Sequence, residues 1–146
     1  MRKPSYAVLC LLGSLAAAGP SLAQPQWEFS AGEMASHLSY GEGAATEFAL
    51  FCSSGFGMVG LYAEIPGLDI GSAQEIDVNV SFSDGVMNFP GGLVQGGVQW
   101  MVNVEDPLLA KLADAPQVTV SAAGKSLQLA MQGADVAGLV KACGGQ

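Results

Sequence analysis

His37 is the only histidine in the chain, so any imidazole-based acid–base or nucleophilic chemistry would have to be built around it. It stands between Ser36 and Leu38 in a stretch that alternates polar and apolar residues. A surface or partner-facing histidine on a strand accounts for it without catalysis. No G-x-S-x-G elbow and no S-x-x-K pair occurs. Paired carboxylates would serve a glycosidase-type reaction, but residues 24–146 are few, lack arginine and keep two tryptophans that also read as core. The expectation is a protein that is not an enzyme, with a small hydrolase as the remoter alternative.

The three cysteines are of two kinds. Cys10 belongs to a segment with the pattern of an export leader: Arg2 and Lys3 at the start, an apolar run from Tyr6 to Ala18, a break at Gly19-Pro20, and small residues in Ser21-Leu22-Ala23. Residues 1–23 are therefore expected to be a signal peptide. Residues 24–146 are expected to form a single β-rich domain, periplasmic or secreted. Cys52 and Cys143 remain, and two cysteines in an exported domain pair as one disulfide. Closing a loop of roughly 90 residues would contribute about 4–5 kcal/mol in the chain-entropy model. Two thiolates and one distant histidine make a poor metal set, so neither a metal nor any other cofactor is expected.

Three further motifs carry less than their letters suggest. Gly55-Phe56-Gly57-Met58-Val59-Gly60 spells G-x-G-x-x-G, but that motif holds a dinucleotide only when it leads from a strand into a helix. Here another strand follows, and a glycine-rich hairpin turn is expected. Asp77-Val78-Asn79-Val80-Ser81 opens like a calcium loop, yet the sixth position is Phe82 and the twelfth Asn88, where such a loop needs glycine and glutamate. Asn79-Val80-Ser81 also spells a glycosylation sequon.

The elements that position these residues are mostly strands. Period-two alternation marks short strands at Trp27 and Phe29, Met34 to Tyr40, Thr46 to Cys52, Met58 to Ile65, Glu75 to Ser83, around Val98 to Val104, Gln117 to Ala122 and Ser126 to Gln132. A strand from Val86 to Phe89 is expected to be interrupted by Pro90-Gly91-Gly92. Asp106-Pro107 starts a short helix carrying Leu108, Leu109 and Leu112, which Pro116 stops. A C-terminal helix has Asp135 in its first turn and Gly144 just past its end. It places Val136, Leu139, Val140 and Cys143 on one face. The fold class is mainly β: an antiparallel β-sandwich or partly open barrel with two short helices, the second C-terminal. In that arrangement the disulfide staples the last helix to the strand of Cys52.

Trp27, Tyr40, Tyr62 and Trp100 would serve either as core or as a ligand platform. Tyr62 shares a strand face with Met58 and Glu64, opposite Leu61 and Ile65. Met58, Tyr62 and Glu64 are therefore the candidate contact for a partner.

Charge narrows the partners. Residues 24–146 hold three lysines against all 13 acidic residues, a formal net charge of −10 with His37 neutral. Such a chain cannot neutralise a phosphate backbone, which excludes nucleic acid. It favours a cationic partner. No apolar run after the leader reaches the length of a membrane helix.

The early Trp27, the central Cys52, the run Leu127-x-Leu129-x-Met131-x-Gly133 and the closing segment Val136 to Cys143 together resemble a loose group of small periplasmic bacterial proteins. The tail is similar to that of invasion-associated locus B proteins and of some type VI secretion accessory proteins. The resemblance implies an envelope location and a non-catalytic role, and it transfers no functional residue. The functional expectation is an exported accessory or binding protein of the bacterial envelope whose partner is an envelope protein or component. A small-molecule or metal carrier is the alternative.

Overall fold

A computed structural model of the protein describes residues 24–69, 71 and 75–144. The expected signal peptide at residues 1–23, Cys10 included, lies outside the described residues. The elements in chain order are β1 (Gln26–Ala31), β2 (Ala35–Glu42), β3 (Ala45–Ser53), β4 (Met58–Glu64), β5 (Glu75–Phe82), β6 (Gly85–Val94), β7 (Gly97–Asn103), α1 (Pro107–Asp114), β8 (Gln117–Ala122), β9 (Lys125–Ala130) and α2 (Val136–Gly144).

All nine strands belong to one antiparallel sheet of order β1-β2-β3-β4-β7-β6-β5-β8-β9. It curls into a half-barrel, so the partly open barrel is the form adopted rather than two stacked sheets. The inner face follows from the alternation. Leu38, Leu50, Leu61 and Trp100 stand in one cross-strand row, and Phe48, Ala63 and Val98 in the next. All of them are buried. Val78 and Val80 on β5, Val118 and Val120 on β8, and Leu127 and Leu129 on β9 continue the same surface.

The helices fill the concave side. Asp106 caps α1 by accepting a hydrogen bond from the Leu108 amide at 2.9 Å, with Pro107 in the first turn. This places Leu108, Leu109 and Leu112 in the core. Asp135 immediately precedes α2 rather than sitting in its first turn, and Gly144 is the last residue of α2 rather than lying past its end. Asp135 accepts from the Gly138 amide at 2.9 Å, as an N-cap does. Val136, Leu139 and Cys143 are the buried face of α2 and Val140 is half-buried beside them. Each fully buried leucine contributes about 1.5–3 kcal/mol relative to leaving it exposed.

A further expectation is corrected. Pro90-Gly91-Gly92 does not interrupt the strand, since β6 runs unbroken from Gly85 to Val94 and Pro90 pairs with Asp77 of β5. The proline acts on the other side. β6 pairs with β7 only over Gly92, Leu93 and Val94, and the ladder stops where Pro90 has no N–H to offer. Gly91 permits a close approach of the neighbouring strands, because a Cβ there would meet Val78 Cγ2 at 2.7 Å and the Gln99 carbonyl at 3.1 Å. β6 is thus bonded to β7 only at its C-terminal end, while β5 pairs with it from Gly85 to Gly92.

Candidate functional site

The disulfide joins Cys52 of β3 to Cys143 of α2, with Cα atoms 5.7 Å apart and a sequence separation of 91. The sequence places both cysteines on apolar faces, and both are buried. The bond holds α2 against the β2–β3 side of the sheet. It leaves no thiol there for nucleophilic work.

The opposite, outer face carries the candidate contact residues. Met58, Tyr62 and Glu64 alternate with the buried Val59, Leu61 and Ala63 of β4, and so share the outer face. The structure divides them. Met58 joins a cluster that the strand pattern alone left out, formed by Phe51 of β3, Phe56 of the β3–β4 turn and Met101 of β7. Together they line a shallow groove of about 250 Å³. Tyr62 lies one cross-strand row away, between Ala49 and Gln99, and Glu64 lies further still, opposite Gly97.

Gly60 is the reason the cluster is continuous. Phe51, Gly60 and Met101 are direct neighbours across three strands, and a Cβ on Gly60 would collide with the Phe51 ring. The missing side chain lets the ring occupy the space over Gly60. Gly55 and Gly57 carry positive φ angles of 86° and 64° and shape the turn that presents Phe56, so the G-x-G-x-x-G letters encode a hairpin.

Five large apolar side chains are exposed among the described residues: Phe29 at 41%, Met34 at 84%, Phe56 at 78%, Val86 at 64% and Met101 at 56%. Two of these belong to the groove on the outer face. Phe56 and Met101 line the groove, and the Met34 carbonyl accepts from the Ser54 amide at 3.0 Å, in the same turn as Phe56. Their signal is present in the sequence. Phe51 and Met101 are apolar at positions whose strand neighbours already supply the inner face.

The other candidates are placed as follows. His37 is exposed on the outer face between Ser30 and Phe51. Among the described residues no side chain hydrogen-bonds its imidazole. The four aromatics form no common platform. Trp27, Tyr40 and Trp100 gather with Phe48 on the inner face, Trp27 lying 5.1 Å from Tyr40 and 6.1 Å from Phe48 between ring centroids. Tyr62 is on the other side. Asp77, Asn79 and Ser81 spread along β5, and the Asn79 side-chain oxygen accepts from Asn88 at 2.9 Å. Among the described residues no group of three or more histidine, cysteine or acidic side chains is placed to hold a metal ion.

Electrostatics are mild. Partial burial, and then the Glu64 carboxylate, raise the Tyr62 phenol above its ordinary value of 10.0. Asp84 is held below the usual carboxylate value by its hydrogen bond and charge contact with Lys111, at 2.6 Å. That pair is exposed and contributes little. Among the described residues no helix is long and apolar enough to cross a membrane.

No protein-family model, curated protein or solved structure matches the chain.

Proposed function

We propose that this protein is an exported, non-catalytic binding protein of the bacterial envelope, and that it docks a partner protein through the outer face at the β3–β4 turn. The observation that carries this reading is the pairing of Phe56 and Met101, both exposed, at the groove they share with Phe51, Met58 and Gly60. Exposed apolar groups collected at one place mark a contact surface, whereas single ones do not. Methionine and phenylalanine suit such a surface, since thioethers adapt to a partner's shape and aromatic rings supply area. The residues lining the groove carry no charge, while residues 24–146 carry −10. An apolar centre within an acidic whole selects a cationic partner that also presents an apolar side chain. The leader pattern, the disulfide and the resemblance of the tail to periplasmic proteins support the envelope location.

The test is affinity capture from envelope extract by the immobilised protein, alongside a Met101→Glu variant of unchanged thermal stability. The expected result is a captured partner that is lost with the variant and weakened at high salt. Equal capture by both proteins would refute the outer-face assignment. Salt-insensitive capture would refute its electrostatic part.

A further inference from the structure

The half-barrel leaves two sheet edges, β1 and β9, and they are not equivalent. In antiparallel pairs, residues that exchange hydrogen bonds alternate with residues whose backbone groups point away. The β1–β2 turn sets the phase, because the Gly32 amide donates to the Ala35 carbonyl at 3.0 Å. With the register Ser30↔His37 and Glu28↔Ser39, Ser30 and Glu28 bond to β2. The N–H and C=O groups of Phe29 and Ala31 therefore face outward. Among the described residues nothing pairs with them.

β9 is the better-guarded edge. Lys125 opens it, and the Ala130 carbonyl already accepts the Trp27 indole. Its inner side chains Leu127 and Leu129 are buried. β1 has neither proline, lysine nor bulge over its six residues, and these are the usual guards of an edge. Beside it runs a groove of about 560 Å³, lined by Phe29 and Ala31 on one wall and by Gly138, Lys141 and Ala142 of α2 on the other. Phe29 is exposed there.

We propose that the outer edge of β1 receives an extended peptide as an additional strand. Its alternate apolar side chains enter the groove against α2, and its basic side chains lie on the outer face beside Glu28. The free backbone groups of Phe29 and Ala31 select an extended chain, because only a strand supplies a matching row of donors and acceptors. The groove accepts every second side chain, on the face where Phe29 and Ala31 already stand. The charge of −10 on residues 24–146 favours a basic segment and opposes a second copy of this chain.

The probe is an octapeptide of alternating valine and lysine, added to the purified, disulfide-bonded protein. Amide exchange of Phe29 and Ala31 is expected to slow at least tenfold. The matching valine–glutamate peptide is expected to bind at least tenfold more weakly. Ala31→Pro removes an outward N–H while sparing the bonds to β2, and is expected to weaken binding at least tenfold. Ala31→Arg, which keeps the backbone intact and puts a charge at the mouth of the groove, is expected to do the same should the proline variant fold poorly. Met101→Glu is expected to leave this binding unchanged, which separates it from the outer-face reading. Unchanged exchange at Phe29 and Ala31, or binding by both Ala31 variants as tight as that of the unsubstituted protein, would overturn the proposal. So would self-association of the protein that Ala31→Arg abolishes, since the edge would then belong to a second copy.

Discussion

The Trp27 indole nitrogen donates a hydrogen bond to the Ala130 carbonyl at 2.9 Å, across 103 residues of sequence. The two residues belong to the first and last strands, so a single side chain links the edges of an otherwise open sheet. Trp27→Phe keeps most of the ring packing against Tyr40 and Phe48 but removes the donor. It is expected to lower stability by about 1 kcal/mol, read as a shift of the urea midpoint with an unchanged slope. An unshifted midpoint would mean that the edges are held by packing alone.

The Cys52–Cys143 bond spans a sequence separation of 91 and fastens α2 to β3. Replacing both cysteines with alanine is expected to cost about 2–5 kcal/mol. Hydrogen exchange should show α2 losing protection before the central strands β3, β4 and β7. Uniform loss across the molecule would mean that α2 is held by its apolar face rather than by the bond.

Gly60 and Phe51 form a coupled pair. Gly60→Ala must push the ring off the sheet, at an expected cost of about 1–3 kcal/mol. In a Phe51→Ala background the same substitution meets no ring, and most of that cost should disappear. A double-mutant cycle on denaturation midpoints measures this coupling. Additive effects would show that the ring does not lie over Gly60 in solution.

Tyr62 provides a pH signature. Its phenol holds its proton more tightly in the folded protein than in the unfolded chain. The stability it adds is therefore complete below the unfolded value near 10 and is lost as pH rises through the raised folded value. Tyr62→Phe should remove that alkaline loss. Glu64→Gln should move the ultraviolet titration of Tyr62 back toward 10.0 without reaching it, because burial is the larger cause and the carboxylate the smaller. A titration indifferent to Glu64→Gln would exclude the charge contribution.

The strands and helices were largely legible because their signals are local. Ile76, Val78 and Val80 alternate with polar neighbours, and Asp106-Pro107 writes a helix start in two residues. Pro90 misled for an equally physical reason. A proline ends pairing only on the side its nitrogen faces, and which neighbour lies there depends on strand order. The contact residues were half legible. Met58 was recognisable on an outward face, but Phe56, Met101 and Phe51 join it only once β3, β4 and β7 stand side by side.

By itself, then, the sequence determined the β-rich class, the two helices, the inward and outward set of most strands, and the pairing of Cys52 with Cys143. These follow from periodicity, capping chemistry and cysteine number, all properties of neighbouring residues or of simple counts. Only the tertiary structure decided that one sheet curls instead of two stacking, that Trp27 reaches Ala130, and that β1 keeps an unpaired edge beside α2. Each of these depends on contacts between segments far apart in the chain. Their partners are chosen by strand order and curvature, which no local pattern of side chains specifies.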